Sequence, residues 1–475
     1  MSTTAPPDHG LRTAWMMTAS GWSANQFSSL LGAYRSEQGL SESAVTGLFA
    51  VYVVGLIPGL LVAGPLADRR GRRRIALGAL ALNLLSTVVF VLGAVVPGLL
   101  LPGRFLTGVS AGALLAAGSA WIKELSGGVP GAGRRAGLFV SGGFASGGLV
   151  AAVIAQWAPV PLVTAYVPHV LLAAVALALA RSAPESLGGA LSHPPTRAGL
   201  ASPGGALSHP PARAALASPG GPLARGAAAG LGGAPSHPPT PAGLASPGGP
   251  PARGAAAGSA GVAATAAGVS HPPTRAGAAA SGGPLARGAS RGWFRRSVLP
   301  VAPWVFAAPT VGFVTLPGLV HGGLLYAGVA TSVVPGTGLL VQPVARRLVR
   351  PLANAVVGLL AIAFGLVLAT LAAHAESWPL ALGAAAALGG GYGFVLTHCL
   401  GEVAALAPPH RLARLTAYFW AAAYAGMFVP YGITLLSQAG ALTPPQILAT
   451  GAALAVATAA VLVGPAARGG RWRRL

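Results

Sequence analysis

Apolar stretches long enough to cross a bilayer recur through this 475-residue chain, six before a long polar interruption and six after it. They fall at about 14–34, 44–66, 75–96, 98–122, 137–158 and 162–180, then at about 298–317, 320–343, 352–373, 379–400, 412–437 and 445–465. In lipid, a run of about 18 or more mainly apolar residues satisfies its own backbone polar groups only as a helix. Only 8% of residues are charged and the mean hydropathy is +0.66, too little charge to cover a soluble surface. The pattern predicts an all-α integral membrane protein with twelve transmembrane helices in two six-helix bundles.

A formal net charge of +22 raises the possibility of a nucleic-acid partner. The placement of the charge argues against one. Nearly every Lys and Arg lies in the N-terminal tail or in segments 67–74, 123–136, 181–297, 344–351, 401–411 and 466–475. The alternate loops hold Arg35 and almost nothing else basic. This is the positive-inside bias of a multi-pass protein, and it predicts a plasma-membrane protein with both termini cytoplasmic. The first apolar run carries Trp22, Asn25 and Gln26 and has no small-residue cleavage site, so it reads as a retained span. The partner expected is the lipid bilayer, with no nucleic acid.

Cys399 is the single cysteine, so the chain has no intrachain disulfide and no cysteine metal site. No Gly-Lys-Ser/Thr phosphate loop is present, which argues against ATP-driven pumping. No Ser/His/Asp set, metal-spaced ligands or paired mid-span acids can be assembled, so no catalytic residues, metal or cofactor are expected. The chain does not read as an enzyme.

Residues 187–292 have a different composition. "SHPP" begins at Ser192, Ser208, Ser236 and Ser270, and "ASPGG" begins at Ala201, Ala217 and Ala245. Pro and Gly are dense, and no apolar period exists that stacked repeats would bury. The expected organisation is a first bundle over 1–186, a disordered cytoplasmic linker over 187–292 and a second bundle over 293–475.

The loop between the second and third spans reads "GPLADRRGRRR" from Gly64. Gly64, Asp68, Arg69, Gly71, Arg72 and Arg73 reproduce the pattern G-x-x-x-D-R-x-G-R-R, which resembles the signature loop of the major facilitator superfamily. "RFLTGVSAG" from Arg104 is similar to that family's fourth-span pattern, and "PES" at Pro184 to its sixth-span exit. "NQFSSLLGAYR" from Asn25, "VYVVGLIPGLL" from Val51 and "GTGLLVQP" from Gly336 resemble a poorly characterised actinobacterial branch. The resemblance implies two bundles that rock about a central site. It also implies that the Asp68 loop latches one gate, Asp68 facing the N-terminus of the eleventh span near 412–416. Glycines in such a loop permit a sharp turn and close helix approach. Gly143, Gly147 and Gly148 suit tight packing of the fifth span, although Gly148 stands where the family's antiporters usually carry proline.

The resemblance further implies that the first, fourth, seventh and tenth spans line the cavity. The expected substrate contacts are therefore Trp22, Asn25 and Gln26, then Trp304, Tyr392 and His398, with Tyr424 from an aromatic stripe on the eleventh span. Such stripes also serve packing. An arginine inside a span is a functional-site candidate by default, so Arg104 either contributes to coupling or snorkels to the interface. No acid falls mid-span, which leaves His321, His398 and Glu402 as further coupling candidates, the last two spaced for one helix face. The reading is a monomeric secondary transporter of a small organic solute, leaning to proton-coupled efflux. A passive facilitator or uptake carrier for a sugar or metabolite is the alternative. A transport-dead sensor would need an ordered extra domain, which 187–292 does not resemble.

Overall fold

The computed structural model describes residues 8–127, 132–186, 292, 294–348, 351–406 and 412–468, all within one compact unit. The repeat segment and the terminal arginines at 471–474 lie outside the described residues. The first half comprises α1 (His9–Ser29), α2 (Glu42–Arg70), α3 (Arg72–Gly93), α4 (Pro97–Leu125), α5 (Ala132–Trp157) and α6 (Pro161–Arg181). The second comprises α7 (Trp304–Leu319), α8 (Gly323–Arg347), α9 (Pro351–His374), α10 (Trp378–Leu406), α11 (Leu415–Gln438) and α12 (Pro444–Arg468). Ten of these are long and apolar enough to cross a membrane; α7 is a shorter apolar helix, and the polar stripe of α1 lowers its hydropathy.

Local chemistry sets several boundaries. The Asp8 carboxylate caps α1 by accepting from Leu11 N at 3.0 Å, which starts the helix earlier than its apolar run. A 2.7 Å ion pair with Arg135 holds that carboxyl below the usual carboxylate range. The α1 ladder breaks at Leu30, and a short helix, Leu31–Gln38, continues to Gly39 at φ +64°. Ser41 caps α2 by accepting from Ala44 N at 3.2 Å. Two spans contain a π-helical turn, Leu114–Gly118 in α4 and Val311–Thr315 in α7. Such turns re-aim side chains and occur at functional sites.

The loops carrying Arg69 to Arg74 and Arg346 and Arg347 share one end of the molecule, called here the basic end; the opposite end is the far end. Within each half, helices touch backbone to backbone. A Cβ at Gly108 of α4 would stand 2.0 Å from Tyr52 O of α2, and one at Gly55 would stand 2.2 Å from Phe105 O. The α1–α5 crossing repeats this, since a Cβ at Gly143 would lie 2.1 Å from Thr18 O. In the second half, a Cβ at Gly393 of α10 would lie 2.3 Å from Gly338 O of α8. Lipid tails are as apolar as Leu, so helices in a bilayer gain from close van der Waals contact, which small residues allow.

Gly108→Val is expected to lower the thermal midpoint of the detergent-purified protein, with an overpacking cost of about 1–3 kcal/mol. Gly78→Ala, where an added Cβ meets nothing within 4 Å, is expected to leave it unchanged. Fluorescence-monitored melting of both variants checks this pair.

Candidate functional site

At the basic end, the α2–α3 loop is built around one carboxylate that sequence reasoning had not placed there. Glu185 accepts from Arg72 N at 3.0 Å and from Arg73 N at 3.1 Å, capping the N-terminus of α3. Gly71 adopts φ +99°, and a Cβ there would stand 2.5 Å from Glu185 Oε2. The loop glycine therefore supplies both the turn and the space for the carboxylate. Arg72 also pairs with Glu124 at 2.5 Å, Arg73 donates to Arg181 O at 2.9 Å, and Trp121 Nε1 donates to Pro184 O at 3.0 Å. The ends of α2, α3, α4 and α6 are thus tied together. The signal that would have found Glu185 is the short "PES" sequence beside the span exit.

The remaining loop residues differ from expectation in part. Asp68 is 66% exposed and bonds Arg72 at 3.4 Å, one helical turn on. The side chains of 411–414, where the eleventh span is expected to receive Asp68, lie outside the described ones. A Cβ at Gly64 would make only an ordinary 3.9 Å contact with Ala116 Cβ, so close helix approach does not require that glycine here. Arg69 is exposed.

Between the two halves lies a central cavity of about 80 Å³. Its wall is Ala24 and Asn25 of α1, Phe49, Tyr52 and Leu60 of α2, Leu115 of α4, Phe144 of α5, Phe306 of α7, and Trp420, Tyr424 and Met427 of α11. The wall is strongly aromatic: Phe306 stacks on Tyr424 with centroids 4.6 Å apart, and Trp420 lies 5.7 Å from Tyr424. The π turn of α4 carries Leu115 into this wall. Of the seven expected substrate contacts, Asn25 and Tyr424 line the cavity. Gln26, Tyr392 and His398 are buried elsewhere, and Trp22 and Trp304 are partly buried outside the wall. The contribution of α2 was missed because its apolar residues look the same whether they face lipid or a cavity.

A second, more polar cavity of about 400 Å³ opens at the far end, with Arg35, Glu42, Thr46, Thr315, His321 and Thr434 in its lining. Phe49 of the central wall meets Phe313 of the far cavity edge to face at 6.2 Å, and Thr46 Oγ1 lies 3.4 Å from Thr434 Oγ1 beside them. The halves are also joined by Asn25 Nδ2 donating to Thr331 O at 3.2 Å and by Ser332 Oγ donating to Ala145 O at 2.5 Å. These contacts lie in the far half of the molecule.

The coupling candidates separate clearly. Arg104 is fully buried and does not snorkel. Its Nη1 donates to Ala24 O at 3.3 Å, and its guanidinium lies 4.6 Å from the ring centroids of Phe27 and Tyr52. His321 is not within a span. It occupies the α7–α8 turn at φ +47°, 77% exposed, 3.8 Å from Glu376. The eighth span starts at Gly323 because α7 ends in that turn. His398 and Glu402 are both buried on α10, and Ser297 Oγ lies 3.4 Å from His398 Nε2 and from Glu402 Oε2. His169 belongs to a different network: Thr87 Oγ1 meets its Nδ1 at 2.8 Å, while Ala19 O and Asn83 Oδ1 lie 3.1 Å from its Nε2. Both ring nitrogens are occupied, as a structural histidine requires.

Comparison with known proteins agrees with this architecture. The family description "Major Facilitator Superfamily" matches residues 13–430. The fold is similar to a D-xylose-proton symporter over 96% of this chain and 95% of that one, at 14% identity and TM-score 0.56. It is also similar to a POT family transporter solved with 5-aminolevulinic acid, over 96% and 94%, at 9% identity and TM-score 0.62. Among curated proteins, 76 residues are 40% identical to a 3-(3-hydroxy-phenyl)propionate transporter of Escherichia coli K12, spanning 16% of this chain and 19% of that relative. A further 72-residue match, also 40% identical, is to the multidrug resistance protein MdtL of Escherichia coli O45:K1, over 15% and 18%. The chain thus matches about a fifth of the length of these curated relatives.

Removal of the Glu185 cap is expected to loosen the α3 N-terminus. Glu185→Ala should cost about 1–2 kcal/mol, and Glu185→Gln, which keeps a neutral acceptor, should cost less. Thermal midpoints of the two variants, with amide exchange at Arg72 and Arg73, read the difference.

Proposed function

The chain belongs to the major facilitator superfamily, and on that premise we propose that it is a secondary transporter that moves a small aromatic or apolar solute by alternating access. The observation that carries this reading is the aromatic cavity between the halves, with walls from α1, α2, α4 and α5 on one side and α7 and α11 on the other. A site shared by two bundles changes its exposure when they rock. Phe49–Phe313 and Thr46–Thr434 form the closure on the far side. The Asp68–Arg72–Glu124 cluster stiffens the basic end, and Asp68 is proposed to exchange its Arg72 partner for α11 in the opposite conformation.

The direction proposed is efflux coupled to protons. The short match to a multidrug resistance protein supports efflux, and the match to a hydroxyphenylpropionate transporter supports aromatic cargo. The His398–Ser297–Glu402 cluster, buried on α10 and the segment before α7, is the site proposed to take up and release the proton. The positive-inside charge bias supports a cell-membrane protein with its basic end in the cytoplasm. Because the cavity is complete within one chain, the working unit proposed is the monomer.

Flux of labelled aromatic solutes in proteoliposomes, with and without an imposed pH gradient, tests the reading. Acceleration by an inward proton gradient is expected; gradient-indifferent flux would identify a passive facilitator instead. Asp68→Asn is expected to insert normally but to slow exchange, and wild-type exchange by that variant would remove the gating role.

A further inference from the structure

Arg104 is a fully buried cation with Nε and Nη2 lacking hydrogen-bond partners among the described residues. No carboxylate among those residues forms an ion pair with it. Its one hydrogen bond among the described residues, to Ala24 O, is 3.3 Å long. Its other neighbours are aromatic faces: Phe27 and Tyr52 at 4.6 Å and Phe49 at 5.6 Å. Cation–π contact and a single carbonyl offset only part of the desolvation of a guanidinium.

Ala24, Phe49 and Tyr52 are also walls of the central cavity. The uncompensated charge therefore lies one side chain behind that cavity. In so apolar a setting its field is weakly screened. A cationic cargo would be repelled, and an anionic one would complete the missing pair. Trp420 Nε1, on the opposite side of the cavity, is a second buried donor without a partner among the described residues.

Resting on the transporter reading of the same cavity, we infer that Arg104 is the charge-selecting residue of the site and that the cargo is an aromatic monocarboxylate. The ring packs against Phe306, Trp420 and Tyr424, and the carboxylate turns toward α4. Phe49 and Tyr52, each in contact with both the guanidinium and the cavity, move to let the carboxylate reach the free N–H groups of Arg104. The central space of about 80 Å³ holds only a few water molecules, so this ring movement accompanies entry of the cargo.

Equilibrium binding to the purified full chain, with phenylacetate, neutral phenylacetamide and cationic phenethylamine as probes, tests the assignment. Phenylacetate is expected to bind at least about tenfold more tightly than phenylacetamide, the effect of one charge-assisted hydrogen bond, and phenethylamine more weakly than both. Arg104→Gln should bring acid and amide within about twofold of each other, whereas Arg104→Lys, which keeps the charge, should retain an acid preference. Equal binding of acid and amide by the wild type, failure of the wild type to bind the acid, or an acid preference that survives Arg104→Gln overturns the inference. The wild-type comparison decides even where a variant fails to fold. Counterflow with the same compounds separates the two readings. Exchange of a neutral aromatic without acid preference defeats the charge selector alone. Arg104-dependent acid binding without exchange defeats the transporter reading alone.

Discussion

Contact between helix backbones, with no side chain intervening, is the constraint on which the other features depend. Inside a bilayer the hydrophobic effect does not draw one apolar helix to another, so cohesion comes from packing and from interhelical hydrogen bonds. Gly55 and Gly108 at the α2–α4 crossing, and Gly143 at the α1–α5 crossing, put carbonyls where a Cβ would otherwise stand. That proximity brings Phe49 and Tyr52 of α2 against Arg104 of α4, and Ala24 of α1 within reach of the same guanidinium. The first-half side of the cavity wall and the buried charge behind it thus rest on close helix approach.

Polar groups in the spans fall into two kinds. His169, Asn83, Thr87, Ser23 and Ser110 satisfy one another, with Asn83 Nδ2 donating to Ser23 Oγ at 2.8 Å and to Ser110 Oγ at 3.0 Å. A buried network so completed rigidifies the first half and has no capacity left for a ligand. Arg104 and Trp420 instead keep donors unused beside the cavity. Unsatisfied buried donors are costly, and a solute entering the cavity would supply these two with a partner.

Much of the fold was legible in the chain, and parts of the site were not. Apolar run length predicts spans because lipid forces backbone hydrogen bonds to close within each segment. The turn at Gly71 was legible because its pattern combines glycine with a charge run. Glu185 was not, since its role depends on α6 ending beside the start of α3, a contact between residues far apart in sequence. His321 was misplaced for a related reason: an apolar run does not mark the turn at which α7 stops and α8 begins. The expected stripe on α1 placed Asn25 on the cavity but not Trp22 or Gln26, because neighbouring helices decide which part of a stripe faces open space.

By itself the sequence determined the number of spans, their alternation, the basic end and the loop motif, all properties of local hydropathy, charge and turn chemistry. Only the tertiary structure decided which aromatic residues line the cavity, which carboxylate caps α3, and whether the arginine of α4 reaches water or lies sealed in a box of rings. Those outcomes turn on side-chain positions that differ by a few ångströms across helix crossings. A one-dimensional pattern carries the periodicity of a helix but not the rotation at which its neighbours lock it.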